Sequence, residues 1–187
     1  MSTLKVNNVT NVGGSYGPNI NTPGHVVQVK HLTYTSTFAT SLTGTLRIPI
    51  TNFFIDFSPR FLNSGVLVIA NLSVGFSNTP EWSWFVDRTV NNVTTQVGTA
   101  AYDGNKMNGY HGGPRDGYAA AFTTETESFS HTVMDFPNTT DSCRYQVCLQ
   151  DRWQNTTAKY INRSGDDSNN GYINRGSSSI TLMEIVQ

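Results

Sequence analysis

The chain has 187 residues, of which 13% are charged and 11% aromatic, and its formal net charge is -1. This length predicts one domain with a core large enough to fold without metals or disulfides. The near-neutral balance offers no basic surface for nucleic acid or an anionic membrane, so we expect neither partner.

The N-terminal segment differs from the rest of the chain. Leu4 and Val6 alternate with a lysine, and Gly-Gly, Gly-Pro and Pro-Gly pairs follow, so one short strand precedes sequence that cannot bury a core. We interpret residues 1–24 as an anchoring arm and residues 25–187 as a β-sandwich domain. A frayed tail is the alternative, because termini usually fray unless contacts hold them. The segment lacks a secretion signal, and no apolar run has the length of a membrane span, so synthesis in a cytosol is expected.

Residues 54–76 have the strongest strand pattern of the chain. From residue 66 to residue 76 every second side chain is apolar, as on the core face of a strand. The opposite face begins with Leu67 and Ile69 and then becomes polar, which predicts a central strand whose second face turns toward water or a partner. Pro and Gly residues between 58 and 65 predict a turn, and we expect a hairpin with the preceding strand.

Similar alternation predicts strands throughout the domain. The apolar positions change from even to odd numbers shortly after Pro49, which predicts a bulge or bend. Trp82 and Trp84 share one face of the next strand, and no segment has a helical period over ten residues. Further strands are expected at residues 118–124, 127–136, 144–151, 158–162 and 177–186. The pattern predicts an all-β fold: an antiparallel, jelly-roll-like β-sandwich with an extended N-terminal arm.

The longest irregular stretch, residues 100–117, contains five glycines and shows no periodicity. Such loops on rigid β scaffolds are common recognition sites. We therefore predict that this loop contacts a surface, and an unliganded, solvated loop is the alternative. The recognition candidates are Tyr102, Tyr110, His111, Arg115 and Asp116.

The spacing of the reactive residues indicates neither a catalytic nor a metal site. The four histidines are scattered singly, and His131 lies on an inward row, so it is interpreted as a core histidine. Cys143 and Cys148 are separated by an odd number of positions, which places them on opposite faces of a strand, where they cannot pair. The adjacent pair Asp166 and Asp167 is more typical of a solvated turn than of a calcium site. We expect no enzymatic activity and no cofactor.

Several apolar residues lie on faces additional to the main inward rows. Monomers rarely expose contiguous apolar patches, so these faces predict contact between subunits, and we expect a homotrimer. The subunit-interface candidates are Trp82, Trp84, Leu67 and Ile69.

Several short segments together resemble a known module. They are IPIT at 48–51, FSPRFLNSGVLV at 57–68, YQVCLQ at 145–150, YINRSG at 160–165 and SSSITLMEI at 177–185. They resemble a jelly-roll-like domain of bacteriophage virion proteins, the tail fibres and head or tail appendages of phages that infect aquatic and cyanobacterial hosts. The opening MSTLKVNN is similar to the N-terminal arms of such proteins.

The resemblance implies a homotrimeric virion component without catalytic activity, made in the host cytoplasm. Its partners would be further copies of itself, other capsid or tail proteins, and glycans of the host surface. The short arm favours a compact capsid-decoration or appendage protein over a long fibre. A free, soluble glycan-binding lectin with the same β-sandwich is the alternative from a different functional class.

Overall fold

The computed structural model describes residues 23–41, 47–76, 82–100, 109–112, 124–151, 158–171 and 173–187. All regular structure in these ranges is β-strand. The strands are β1 (Val26–Tyr34), β2 (Phe38–Ser41), β3 (Arg47–Phe57), β4 (Gly65–Phe76), β5 (Trp82–Val90), β6 (Val93–Gln96), β7 (His111–Gly112), β8 (Glu127–Asp135), β9 (Cys143–Asp151), β10 (Ala158–Ile161) and β11 (Ser178–Ile185).

The strands form two antiparallel sheets. In sheet I the neighbours are β1, β11 and β4; β8 pairs along β4, and β10 joins the C-terminal end of β4 to β2. In sheet II the neighbours are β3, β9 and β5, and both β6 and β7 pair with β5. Eight strands remain when the short β2, β7 and β10 are left out. Their spatial order is β1-β11-β4-β8 in sheet I and β3-β9-β5-β6 in sheet II. Counted along the chain from 1 to 8, these are strands 1-8-3-6 and 2-7-4-5. Two sheets in this order form a jelly roll, which confirms the predicted fold class.

The core lies between the two sheets and has β4 at its centre. The predicted apolar row of β4 is buried, with Val66, Val68 and Ala70 each no more than 1% exposed. Side chains of sheet II such as Val147 and Leu149 belong to the same buried cluster. Alternation along β4 and β9 thus identified their inward faces correctly, because successive side chains point to opposite sides of a sheet.

The predicted hairpin between β3 and β4 is wrong. The two strands belong to different sheets, since β3 pairs with β9 whereas β4 pairs with β11 and β8. The turn between them crosses from one sheet to the other, and the strands of sheet I that β3 contacts are β1 and β11. A turn signal reports that the chain reverses, and it carries no information about which strand becomes the hydrogen-bonded neighbour.

A buried carboxylate holds this crossing loop. The side chain of Glu184 on β11 is fully buried. Its oxygens accept hydrogen bonds from the backbone N–H groups of Arg60 (2.8 Å) and Phe61 (3.0 Å), from the Ser64 hydroxyl (2.7 Å) and from Gln28 Nε2 (2.6 Å). The donors of the loop thereby gain an acceptor in place of water, as buried polar groups require.

The bulge expected near Pro49 is confirmed. The register of β3 against β9 shifts between Pro49 and Phe54, and Asn52 takes a positive φ of 60°. The side chain of Gln146 on β9 donates from Nε2 to the carbonyl oxygens of Ile50 (2.7 Å) and Phe53 (3.1 Å), which the bulge removes from the ladder. Because the bulge inserts extra residues, both apolar sets of β3 face the core despite their different parity.

Asn162, directly after β10, connects three strands of sheet I. Its Nδ2 group donates to the carbonyl oxygens of Tyr34 (2.7 Å) and Ser36 (2.9 Å), and its Oδ1 atom accepts from the Ser178 hydroxyl (2.6 Å). Asn162 is buried and has a φ of 61°, a left-handed conformation that Asn tolerates better than most residues. The end of β1, the start of β11 and the end of β10 therefore meet at one side chain.

Candidate interaction surfaces

The structure describes only part of the predicted recognition loop. Tyr102, Arg115 and Asp116 lie outside the described residues, and for His111 the structure gives the backbone alone. That backbone forms β7, in which His111 pairs with Trp84 and Gly112 pairs with Ser83 of β5. This portion of the loop is therefore an added piece of sheet II, although its sequence shows no strand period.

Tyr110 is a packing residue rather than a free surface side chain. Its ring stacks on His131 with centroids 3.9 Å apart and meets Trp84 edge-on at 5.1 Å. Its hydroxyl donates to the Val97 carbonyl (2.7 Å), and burial raises the pKa of this hydroxyl. The assignment of Tyr110 as a surface-recognition candidate is corrected, because its backbone N–H donates to Trp84 O (2.7 Å) and its ring packs against the core.

His131 lies on the inward row of β8, as predicted, and is half-buried beneath Tyr110. Burial lowers the pKa of His131, since removal of water disfavours the charged imidazolium. The stacked rings close one side of the sandwich between β8 and β7. This arrangement stabilises the neutral form of the histidine, and we assign it to packing.

Trp82 and Trp84 are core residues. Both side chains are 0% exposed within the single chain, so neither offers accessible area to another subunit, and their proposed interface role is corrected. Trp82 packs against Phe76 (centroids 5.5 Å apart) and Phe129 (5.2 Å). The sequence showed their shared face correctly, but it could not show that this face is the one that meets sheet I.

The outer face of sheet I has an apolar end. Met183 of β11 pairs with Val29 of β1 on one side and with Leu67 of β4 on the other, and Leu67 pairs with Met134 of β8. Directly opposed residues point to the same side of a sheet, so Val29, Met183, Leu67 and Met134 form one row across four strands, which we call the apolar row. Leu67 and Ile69, the other interface candidates, are half-buried on this face.

The outer face of sheet II is different, because charged side chains lie across it. Arg144 pairs with Asp56 (2.8 Å) and lies over the Phe54 ring at 4.0 Å, while Arg47 contacts Asp87 at 3.2 Å. Hydrogen bonding to Arg144, partly offset by burial, lowers the pKa of Asp56, whereas burial raises the pKa of Asp87. The pair of Arg144 and Asp56 is exposed, whereas Asp87, Phe85 and Cys148 on the same face are buried, so only part of this exterior is charged and solvated.

Both cysteines are free and buried, on opposite faces of β9 as predicted. Cys143 faces the core, and Cys148 lies 3.6 Å from Asp87 Oδ2 on the outer side of sheet II. Burial raises the pKa of both thiols. Since the thiolate is the reactive form, neither environment activates a nucleophile.

Within the described ranges, no group of three or more His, Cys, Asp or Glu side chains is placed to hold a metal ion. The same residues contain no helix long and apolar enough to cross a bilayer.

No family model matches the sequence, and no curated protein matches it. One matching solved structure is a chain of the infectious bursal disease virus Gx strain, with 9% identity and a TM-score of 0.41. The match covers 86% of this chain and 37% of that chain, so this chain spans well under half of that protein's length. At this level of similarity the match carries no argument about the fold or the function.

Proposed function

We propose that the chain is a non-enzymatic structural protein of a bacteriophage virion, a homotrimeric capsid-decoration or tail-appendage protein attached through its N-terminal arm. The observation that supports this most directly is the jelly-roll strand order, an architecture common in viral capsid domains and lectins. A fold alone does not specify function, so the proposal also uses the resemblance of the strand segments to phage virion proteins.

Half-buried and buried polar groups that link strands of the sandwich support a structural role. Arg88 Nη1 donates to both carboxylate oxygens of Asp135 (2.6 and 2.7 Å). The Tyr145 hydroxyl donates a further hydrogen bond to the same carboxylate (2.8 Å). These groups connect β8 of sheet I to β5 and β9 of sheet II at the edge of the core. Glu184 and Asn162 also hydrogen-bond to more than one segment of the chain, so these polar residues stabilise the fold.

The arm is the proposed means of attachment. Residues 23 and 24 are the first described ones, and the Gly24 N–H donates to Val186 O (2.7 Å), beside the start of β1. Leu4 and Val6 lie outside the described residues. A segment of 22 residues could extend over about 70 Å, which is long enough to add a strand to a neighbouring protein.

The free-lectin alternative requires exposed aromatic rings that can stack on sugars, and three aromatic residues of the described part of the chain do not meet this requirement. Trp82 and Trp84, which could have stacked on sugar rings, are fully buried, and Tyr110 packs on His131. Contact with host glycans through Tyr102, Arg115 and Asp116 stays a prediction.

Incorporation into particles tests the proposal. Mass spectrometry of purified virions should detect the chain in a fixed ratio to the major capsid protein. A chain lacking residues 1–24 should fold, melt cooperatively and keep its oligomeric state, yet be missing from the particles. Absence of the full-length chain from virions would contradict the structural role, and incorporation of the truncated chain at the normal level would contradict the arm.

A further inference from the structure

The exposed large apolar residues are concentrated at one end of sheet I. Five such residues occur in the described part of the chain: Val26, Val29, Leu62, Val93 and Phe136. Val26 and Val29 lie on β1 beside Ile185 and Met183, and Phe136 directly follows β8. Leu62 lies in the loop that enters β4, so only Val93, in the hairpin of sheet II, lies away from this end.

The chain covers the opposite end of the same face with its own backbone. A side chain at Gly75 would overlap the backbone of Arg163 and Ser164, and a side chain at Gly176 would overlap Ser73. The segment after β10 therefore lies directly against the C-terminal part of β4, where Ser73 and Gly75 are buried. No described segment covers the apolar row in this manner, and Val29 there is 52% exposed.

The apolar end of this face also lacks charge. The next two rows along β1, β11, β4 and β8 contain Ser, Thr and Asn, one Ile and one His. Neither these rows nor the apolar row contains Asp, Glu, Lys or Arg. Depletion of charge around an apolar centre distinguishes the core of a protein interface from ordinary surface. The exposed pair of Arg144 and Asp56 on sheet II shows that the same chain places charges on an exterior that faces water.

The dimensions of the face fit a second copy of the chain. Four strands about 4.8 Å apart and eight residues rising about 3.3 Å each give a projected area of about 500 Å². Two such faces would bury about 1,000 Å² in projection and more in accessible area, which reaches the lower range of specific interfaces. A charged partner would find no complementary charge here, whereas an identical apolar row from another copy matches the face in both polarity and size.

We propose that the apolar row of sheet I is the surface through which copies of this chain associate. The inference rests on the proposed structural role and assigns to Val29, Met183, Leu67 and Met134 a self-complementary contact between two copies, which is distinct from the head-to-tail contacts that would close a trimer. Association removes the exposed valine and the half-buried methionines from water and leaves the charged face of sheet II outermost.

Single charge insertions test this surface. Val29→Glu places a carboxylate at the edge of the row, and Met134→Glu places one at its other end. Val93→Glu is the matched control, since Val93 is also on a strand and is 68% exposed, away from the face. Sedimentation velocity of the full chain from about 1 to 100 µM should show an oligomer for the wild type and Val93→Glu. Val29→Glu should raise the dissociation constant at least a hundredfold.

A second measurement uses the wild type alone and so does not depend on how the variants fold. Peroxide oxidation of Met134 and Met183, followed by mass spectrometry, should accelerate on dilution below the dissociation constant, because dissociation exposes both sulfur atoms. Oxidation rates independent of concentration, a monomeric wild type at 100 µM, or unchanged association of Val29→Glu would each overturn the inference. Virion mass spectrometry is independent of these results, so failure of the contact surface is distinguishable from failure of the virion role.

Discussion

The carboxylate of Glu184 provides the sharpest test of how the crossing loop between the two sheets is held. Glu184→Ala removes an acceptor that serves two backbone N–H groups, those of Arg60 and Phe61, together with the Ser64 hydroxyl. The hydroxyl has an alternative acceptor in the Phe61 carbonyl at 2.9 Å. The two amides have none in the same loop, so they are the donors that the substitution leaves unsatisfied.

The expected loss of stability follows from these two unsatisfied amides. A fully buried donor left without a partner costs about 1–3 kcal/mol, so two set an upper range of about 2–6 kcal/mol. Arg60 is an exposed residue and Phe61 is half-buried, so water recovers part of this cost. Removing the buried carboxylate also removes the unfavourable desolvation of its charge, which offsets part of the loss. We therefore expect Glu184→Ala to lower the free energy of unfolding by about 3 kcal/mol. With a urea m-value of about 2 kcal/mol/M, the midpoint falls by about 1.5 M.

Equilibrium unfolding in urea, monitored by the fluorescence of the buried tryptophans, measures this shift at one fixed protein concentration. Ser64→Ala should show a smaller decrease, about 1 kcal/mol, because the carboxylate keeps its other donors. Glu127→Ala is the matched control: it also removes a strand carboxylate, but Glu127 is only half-buried, so its effect should stay within about 0.5 kcal/mol. A Glu184→Ala protein within 1 kcal/mol of the wild type would refute the reasoning, since the loop would then hold its conformation without this acceptor.

Three further substitutions test other parts of the fold. Val68→Asp puts a charge at a position 1% exposed in the central strand and should abolish soluble protein; a soluble, cooperatively melting variant would contradict the assigned core. Gly98→Ala should destabilise the protein by about 2 kcal/mol in a thermal melt, because Gly98 has a φ of 58° and an added Cβ would overlap Val133. Gly24→Ala also introduces a Cβ at positive φ but meets open space, so it should cost about 1 kcal/mol. Equal effects of the two substitutions would exclude the clash. Arg88→Met removes the ion-pair partner of Asp135, whose side chain is 12% exposed, and should lower the free energy of unfolding by about 3–5 kcal/mol. Adding Asp135→Asn to Arg88→Met should recover part of that loss. Additive losses would argue against coupling of the pair.

Local patterns determined the strands and their inward faces. Alternation along β4 identified the buried row, and the parity change near Pro49 identified the bulge, because both depend only on the two-residue period of an extended chain. The opposite orientation of Cys143 and Cys148 follows from the same period. Composition excluded long helices for a related reason, since Asn, Thr, Ser and Gly favour strands and turns.

The candidate surfaces were harder to predict from the sequence. Residue 110 lies in a Gly-rich stretch without periodicity, and only the pairing of β7 with β5 brings Tyr110 onto His131, 21 positions away in sequence. Trp82 and Trp84 were assigned to an extra face because a strand pattern shows that two side chains point the same way, without showing what covers them. Leu67 and Ile69 were recognised as outward-facing, although their neighbours Val29, Met183 and Met134 come from three other strands.

Sequence alone therefore determined where the longer strands lie, which side of them is apolar, and that the fold is an all-β sandwich. Tertiary structure decided which strands are neighbours, that β3 and β4 lie in different sheets, and which apolar faces meet inside the protein. The physical reason is range: side-chain alternation is a property of a few consecutive residues, whereas the pairing of β1 with β11 or the contact of Glu184 with the loop before β4 joins positions more than 100 residues apart. Such contacts depend on the shape and polarity of whole faces, and no local pattern contains that information.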